Sequence, residues 1–526
     1  MKKILSLALA VMMLMLVMSP ALGEAQFPLT DKPVTLKVMA RTNSFYPNQN
    51  LGDVQNMIEY EKMTGVHIEW ENVDPSVFTN TLASAIASDT LPDIIFKGNV
   101  TNVQQYEWGE EGVLVNLAPY LEEHAPNFYA LMKEYPDIEK AITAPDGAIY
   151  GLPQVVLAPA MRVPTKMFIN GKALAATGME LPTTVDELYD VLVAMRDSDF
   201  NGNGKADEIT VIASVNWLYR YFLCSFGLRT RGAHHQTVDA DLETGKVRIF
   251  AQDEKYRTFL ETMHKFYAEG LIYQEIYTEG TKNESILAAE ERLGVILDTT
   301  LNAVPTNVMP DWSGLKWQIS GPDGYNISSE IRSNLHTEGN FVITDACENV
   351  ELALEWVDYF YSEEGSLLYH AGVKDVHWEE KEDGSLGYTE EAVASRTPDM
   401  TQDSFIAQFA MWPGGRNPSV MRDNLWGGEF EKEPAETAAA LINYASETIW
   451  PIIAWMPEEN EILSTVQTDI QSFITTSTAQ AITGEIEITD AWWNEFVSKI
   501  DAMGADKLIG AYEAALTRIY GEGASF

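Results

Sequence analysis

From Thr35 to Ala40 the chain alternates apolar and polar residues, the two-residue period of a strand with one buried face. From Val54 to Thr64 the apolar positions recur at helical spacing and stop at Gly65. Alternation returns over Val66 to Trp70, a helical pattern follows Pro75 over Ser76 to Ala87, and Leu91-Pro92-Asp93 leads into the apolar run Ile94 to Phe96. Strands alternating with helices predict a mostly parallel, helix-covered sheet whose ligand sites lie at the carboxyl ends of its strands. A helix over Val103 to Gly112, a turn at Ala144-Pro145-Asp146-Gly147 and a crossover strand from Ile149 to Leu157 continue the pattern. Thr184 is placed to cap a helix running to Met195, with Glu187 as its capping-box partner. Further helices are predicted over Asp253 to Ala268, Val350 to Phe360 (with Gly365 beyond its end), Glu436 to Trp450 and Thr489 to Ser498, and strands over Leu293 to Leu297 and Asn340 to Thr344. There is no fixed-period repeat and no long low-complexity linker, so any lobes are joined by short crossovers.

The first residues break this periodicity. Lys2 and Lys3 precede an apolar run from Ile4 to about Met18, then Ser19-Pro20 and the small-residue site Ala21-Leu22-Gly23. That is the layout of a secretory signal peptide cut after Gly23 or Ala25, which makes the mature chain an exported one, periplasmic or extracellular. About 500 remaining residues suggest several domains. The 35 Lys and Arg against 78 Asp and Glu give a net charge of −43. Such a field repels phosphate backbones and anionic lipid, which argues against nucleic acid as a partner, and attracts cations such as calcium. Two cysteines, Cys224 and Cys347, provide neither a disulfide framework nor a thiolate metal site, and two buried thiols are expected.

In order along the chain, EYEKMTGVHIEW (59–70), LPDIIF (91–96), WGEEGVLVNLAPYLEEHAPN (108–127) and DGAIYGLP (146–153) resemble the family 1 extracellular solute-binding proteins of bacterial carbohydrate ABC importers, including the alginate-oligosaccharide and maltodextrin binders. LPTTVDELYDVL (181–192), DFNGNGKADEI (199–209), FYAEGLI (266–272) and ENVELALEWVDYFYSEEG (348–365) extend the resemblance over nearly the whole mature chain. It implies an α/β fold of the two-lobed periplasmic-binding-protein type (type II), hinged between lobes that enclose the solute. Mapped here, lobe one is 27–157 plus 319–371 and lobe two 158–318 plus 372–526. The implied function is capture of a carbohydrate, an oligosaccharide above all, by a monomer that delivers it to the permease subunits of an ABC transporter. Relatives in Gram-positive cells carry a lipid-modified cysteine at the processing site; Glu24 follows Gly23 here, which argues against a lipid anchor.

Asp197 to Thr210, DSDFNGNGKADEIT, alternates Asp and Asn around glycines, as a loop does when it wraps oxygens about calcium. One register begins at Asp197 and puts cationic Lys205 at the ninth position. The other begins at Asp199 and uses Asn201, Asn203, the Lys205 carbonyl, Asp207 and Glu208, with Gly204 at the turn and Thr210 where an EF-hand has its bidentate Glu. The second keeps only the backbone of Lys205 at the ion, matches the similar loop of alginate-oligosaccharide binders, and is the one adopted, with a structural role for calcium. A solvated Asn-Gly turn is the alternative.

Sugars present apolar C–H faces edged by hydroxyls, so a sugar cleft needs aromatic platforms flanked by amides, carboxylates and arginines. At the carboxyl ends of the predicted strands lie Arg41, Asn43, Phe45 and Tyr46, then Lys97 and Asn99, and in the second lobe Trp217, Tyr219 and Arg220, then Asp298 and Thr299. Arg41 and Trp217 lead this set. Trp312, Trp378, Trp412, Arg416 and Trp426 are weaker candidates, with Trp378 read as a packing residue. No G-x-S-x-G, H-E-x-x-H or phosphate-loop motif occurs, and adjacent His234 and His235 do not share a face, so no enzyme is expected. A peptide or other solute as ligand, or separated carboxylates acting as a glycosidase pair, remain open alternatives.

Overall fold

A computed structural model describes residues 26–523 except 306, 329–330, 398–399, 401 and 413–414. The predicted signal peptide lies outside the described residues. The predicted first strand is β1 (Val34–Arg41), followed by β2 (Val66–Val73) and β3 (Ile94–Phe96). The helices between them cover Gln55–Thr64 and Phe78–Ala87. The first ends where expected because Gly65 takes the left-handed conformation (φ 72°) and returns its N–H to Glu61, a turn that costs glycine least. The crossover strand is β4 (Gly151–Val156); β5 (Lys166–Asn170), β6 (Ile209–Ala213), the short pair β7 (Val238–Ala240) and β8 (Val247–Ile249), β9 (Leu293–Asp298) and β10 (Trp312–Gly314) follow. β11 (Leu335–Ile343), the pair β12 (Trp378–Glu380) and β13 (Leu386–Tyr388), and β14 (Val420–Met421) complete the set.

Two sheets organise the molecule. The first has the order β14-β4-β11-β3-β1-β2 and the second β10-β5-β9-β6. Neither is simply parallel: β1 runs parallel to β2 and β3, but β11 lies antiparallel to both β3 and β4 because the chain returns from the second sheet in the opposite sense. Each sheet has its own core. Val38, Ile94, Phe128, Phe341 and Trp356 are buried on the first, and Met167, Leu192, Phe259, Val295 and Phe496 on the second. The helices Thr468–Thr483, Asp490–Ala502 and Ala505–Tyr520 place Ile470, Phe496 and Leu516 in the second core. Cys224 and Cys347 are buried as thiols in separate parts of the fold.

Several boundaries differ from the sequence pattern, for identifiable reasons. Glu187 does not chiefly close the predicted box on Thr184. The Thr184 hydroxyl accepts the Glu187 N–H, while the Glu187 carboxylate reaches one residue further to the N–H and hydroxyl of Thr183. Gly365 lies past the end of Val350–Asp358 as expected, but inside a second helix, Glu363–Ala371; its missing Cβ lets the Tyr359 carbonyl approach. The helix predicted over Glu436 to Trp450 is instead Lys432–Leu441, followed by one 3₁₀ turn. β14 joins the first sheet through β4, and Ala407, Met411 and Val420 pack into the first core, although the sequence division assigned everything past 372 to the second lobe.

Candidate ligand cleft and calcium loop

Three crossings join the lobes side by side. The Val156 N–H donates to Asn334 (2.7 Å), the Leu157 N–H to Met421 (2.9 Å), and the Arg332 N–H to Arg162 (2.9 Å). A few adjacent backbone hydrogen bonds at a crossing are what a hinge needs: rigid elements on either side and a short deformable strip between.

Against this strip lies a cavity of about 330 Å³ lined by Tyr388, Trp412, Trp426 and Phe430, with His370, Asp403 and Glu429 as polar members. Asn302, from the loop after β9 in the second sheet, closes its far side, so both lobes contribute. The aromatic wall is braced from behind. Trp426 packs on Tyr388 (5.2 Å between centroids) and on Trp378 (6.1 Å), and Trp412 packs on His370 (5.6 Å). Gly427 and Gly428 both have positive φ (83° and 56°), which lets the chain turn sharply between Trp426 and Phe430. Burial pushes the Asp403 carboxyl above its usual range. An apolar wall with a few polar groups at its rim is the usual make-up of a small-molecule site.

Of the residues singled out from the sequence, Trp412 and Trp426 line this cavity, and the favoured set largely does not. Tyr46 and Lys97 are buried and bound to each other: Lys97 Nζ donates to Tyr46 Oη (2.9 Å), to the Met411 carbonyl (3.0 Å) and to Asn417 Oδ1 (2.6 Å), and Tyr46 Oη donates to the same Met411 carbonyl (3.0 Å). Burial, then the nearby Arg416 and Arg41, push the Lys97 amine well below the usual lysine range. Arg41 ends β1 beside this group, and the Asn43 amide oxygen accepts the Phe45 N–H (2.9 Å). Asn99 faces a second interlobe cavity of about 260 Å³, with His234, His336 and Glu338 among its walls. In the second lobe Tyr219 turns into the core, sharing a hydrogen bond with Tyr277 (2.6 Å) and an edge contact with Phe259. Trp217 is half-buried, with the Arg220 guanidinium over its ring (5.3 Å). Asp298 accepts from the Thr299 N–H and hydroxyl, and the Thr299 carbonyl accepts from buried Lys166 (3.0 Å). Trp312 is buried in a small cluster on the second sheet, and Trp378 donates its indole N–H to the Gly372 carbonyl (2.9 Å), the packing role expected of it. Asn302, His370, Tyr388, Asp403, Glu429 and Phe430 were missed. A signal for some of them was available in WGGEF (426–430), aromatics interleaved with glycines.

The loop from Asp199 is held by its own side chains. Asp199 Oδ1 and Oδ2 accept the N–H groups of Asn203 and Gly204 (both 2.9 Å), Asn201 Oδ1 accepts the Asn203 N–H (3.0 Å), and Asn203 Oδ1 accepts the Lys205 N–H (2.8 Å). Asp197 is turned outward onto Arg196 (2.8 and 3.1 Å). The Asp207 carbonyl accepts from Arg292 (2.9 Å), and Glu208 Oε1 is buried without a hydrogen-bond partner. Among the described residues no three carboxylate, imidazole or thiolate groups are gathered about one point, so Asp199, Asp207 and Glu208 do not form a closed cage.

A family model described as bacterial extracellular solute-binding protein matches residues 48–227. A fructooligosaccharide ABC transporter substrate-binding protein, FusA, of Streptococcus pneumoniae is 28% identical over 344 residues, which is 64% of this chain and 62% of that protein, so the match spans under two thirds of the relative's length. A polygalacturonan/rhamnogalacturonan-binding protein, YtcQ, of Bacillus subtilis is 21% identical over 466 residues, 87% of each chain. Among solved structures, FusA as an EF-hand mutant with fructo-nystose superposes with a TM-score of 0.69 (22% identity, 93% of this chain and 99% of that one). The alginate-binding protein AlgQ2 without calcium superposes with 0.67 (20% identity, 93% and 98%). With the family model matched across the first crossing and a two-lobed fold shared along nearly its whole length, this chain is similar to the bacterial extracellular solute-binding proteins over residues 48–227 and shares their fold.

Proposed function

We propose that the chain captures an oligosaccharide between its lobes and hands it, unaltered, to the membrane subunits of an ABC importer. The observation that carries this is the interlobe cavity, whose wall of Tyr388, Trp412, Trp426 and Phe430 with a polar rim complements the C–H faces and hydroxyl edges of a sugar. The family supports the class of activity, and the relatives' ligands are fructooligosaccharide, polygalacturonan and alginate. The protein acts outside the cytoplasm after signal-peptide removal, periplasmic or extracellular, and as a monomer. No helix among the described residues is long and apolar enough to cross a membrane. The division into lobes follows the two cores, with 405–421 counted in the first. Capture without turnover makes it a binding protein and not an enzyme.

Calcium, in this reading, is a structural cofactor of the 199–208 loop. The side-chain ladder from Asp199, the outward turn of Asp197 and the orphaned, buried Glu208 Oε1 support the register that begins at Asp199. The Asp199, Asn201, Asn203, Asp207 and Glu208 side chains with the Lys205 carbonyl would hold the ion, which supplies the positive charge these oxygens lack. An EF-hand in FusA supports the same assignment.

The test is calorimetric titration of the mature protein with a panel of oligosaccharides and peptides, followed by mass analysis of the recovered ligand. At least one oligosaccharide is expected to bind and to return intact, and Trp412→Ala to weaken it by about five- to thirtyfold, or roughly 1–2 kcal/mol, with circular dichroism establishing that the variant is folded. Binding of peptides alone, a cleaved sugar, or an indifferent Trp412→Ala each count against the reading.

A further inference from the structure

The chain is strongly acidic, yet three cations meet at the carboxyl ends of β1 and β3. Arg41 is the last residue of β1, one step past the Ala40–Phe96 pair, and Lys97 follows Phe96. Lys97 holds Asn417 Oδ1 at 2.6 Å, which fixes the neighbouring Arg416 in the same group. Burial, then repulsion from Arg416, holds the Arg41 guanidinium below the usual arginine range against the pull of Asp74, and burial followed by the same two arginines depresses Lys97. Their arrangement includes no counter-charge in contact. Among the described residues neither Arg41 nor Arg416 has a carboxylate at ion-pair distance, and the closest acid to Arg41 along the sheet, Asp74, spends its carboxylate on the Ser76 N–H (2.8 Å) and hydroxyl (2.6 Å).

The backbone pays for this convergence. Lys97 (φ 56°), Asn99 (φ 52°) and Arg416 (φ 55°) all occupy the left-handed region that disfavours side chains, and such outliers persist where surrounding structure enforces them at working sites. The place is also the right one. Gly415, beside Arg416, lines the aromatic interlobe cavity, and Asn99, two residues past Lys97, lines the second interlobe cavity, so the cations stand between the two. Lys97 is spent on internal hydrogen bonds, whereas Arg41 and Arg416 are both half-exposed.

Resting on the oligosaccharide reading above, we infer that Arg41 and Arg416 form an anion subsite of the cleft and that the captured sugar is acidic, carrying a carboxylate or sulfate that the two guanidiniums bind together. The planar guanidinium fork matches two anionic oxygens at once, and a site between two mutually repelling arginines, neither in an ion pair and only Arg41 eased by the charge of Asp74, gains most from a charged ligand that cancels their repulsion. The acidic surface elsewhere keeps such a ligand from binding outside this point.

Four ligands in two pairs decide it in calorimetric titrations at low and moderate salt: trigalacturonate with its full methyl ester, and a sulfated neutral trisaccharide with its unsulfated parent. The native protein is expected to prefer one acidic form over its neutral counterpart by at least about tenfold, with the preference falling as salt rises. Whether the ester or the sulfate pair shows it identifies the anion. In Arg41→Gln and in Arg416→Gln the ratio is expected to collapse toward one, and Arg41→Lys to restore part of it; circular dichroism and melting of each variant establish that it is folded. Equal or better binding of the neutral forms overturns the inference while leaving the oligosaccharide reading intact. A ratio unmoved by either substitution overturns it too, since arginines that merely close onto the facing lobe affect acid and ester alike. If neither neutral nor acidic sugars bind, the oligosaccharide reading falls and this inference with it.

Discussion

Single side chains here show how burial, more than identity, sets behaviour. Lys97 sits at a strand end, where a sequence reading expects a ligand contact, yet its amine is enclosed and acts as an internal clamp joining Tyr46, Met411 and Asn417. Glu338 makes the same point with a measurable consequence. It is half-buried on β11; one carboxylate oxygen accepts the Asn102 N–H (3.0 Å) at the start of the helix Asn102–Glu110, and the other is out of water without a partner, in the cavity shared with His234 and His336. Desolvation raises its carboxyl to about 7, only slightly offset by the Asn102 bond. The same enclosure holds His234 and His336 down to about 3, so both imidazoles are neutral over the range that matters. A carboxyl whose folded value lies above its unfolded one contributes stability below about 4.5 that is lost as pH climbs through 7. Glu338→Gln keeps the acceptor for Asn102 and removes the charge. In urea denaturation the variant is therefore expected to match the native protein near pH 4.5 and to exceed it by roughly 1–3 kcal/mol at pH 8, allowing for partial solvent screening. A constant difference across that range contradicts the assignment.

At the scale of elements, periodic pattern located what local physics controls. β1, β2, β3 and β9, and the helices ending at Gly65 and Gly270, lie within a few residues of expectation because their signals are an alternating face, an apolar run or a left-handed glycine. The 199–208 loop was legible for the same reason: Asp and Asn at alternate positions hydrogen-bond their own backbone whether or not an ion is present. What calcium would add, on the proposed reading, is cancellation of charge among Asp199, Asp207 and Glu208. Treatment with chelator is expected to lower the melting temperature and calcium, not magnesium, to restore it, with Asp199→Ala insensitive to both. Identical melts with and without calcium remove the ion from the account. Gly365 follows the end of its helix as expected, but that it lies in a second helix under the Tyr359 carbonyl that crowds it rests on a contact no linear pattern announces.

For the whole molecule the decisive feature is the strip of three crossings. Two separate cores joined by short backbone-paired segments can rotate as rigid bodies, and a ligand touching Asn302 on one side and Trp412 on the other favours the closed arrangement by its contacts with both. Small-angle scattering is expected to show a radius of gyration that falls by on the order of 1 Å at saturating sugar. No contraction with a ligand shown to bind by calorimetry excludes ligand-driven closure. Contacts outside the cleft, such as Lys140 over the Tyr520 ring (4.7 Å), limit how far the lobes separate on that side.

The amino-acid sequence alone determined the alternating α/β order, the self-bonded Asp/Asn loop at 199–208 and the likeness to solute-binding proteins, because each is written in neighbouring residues or in motifs carried in a fixed order. Only the tertiary structure decided which aromatic and charged residues share a space. Trp412, Trp426 and Asn302 meet through a returning antiparallel strand and a late strand that rejoins the first sheet, while Tyr219, equally plausible by position, turns into a core. Arg41 and Arg416 stand 375 residues apart in sequence, and their convergence depends on a buried lysine between them. A strand end tells where a side chain starts; packing from the far end of the chain settles what it faces.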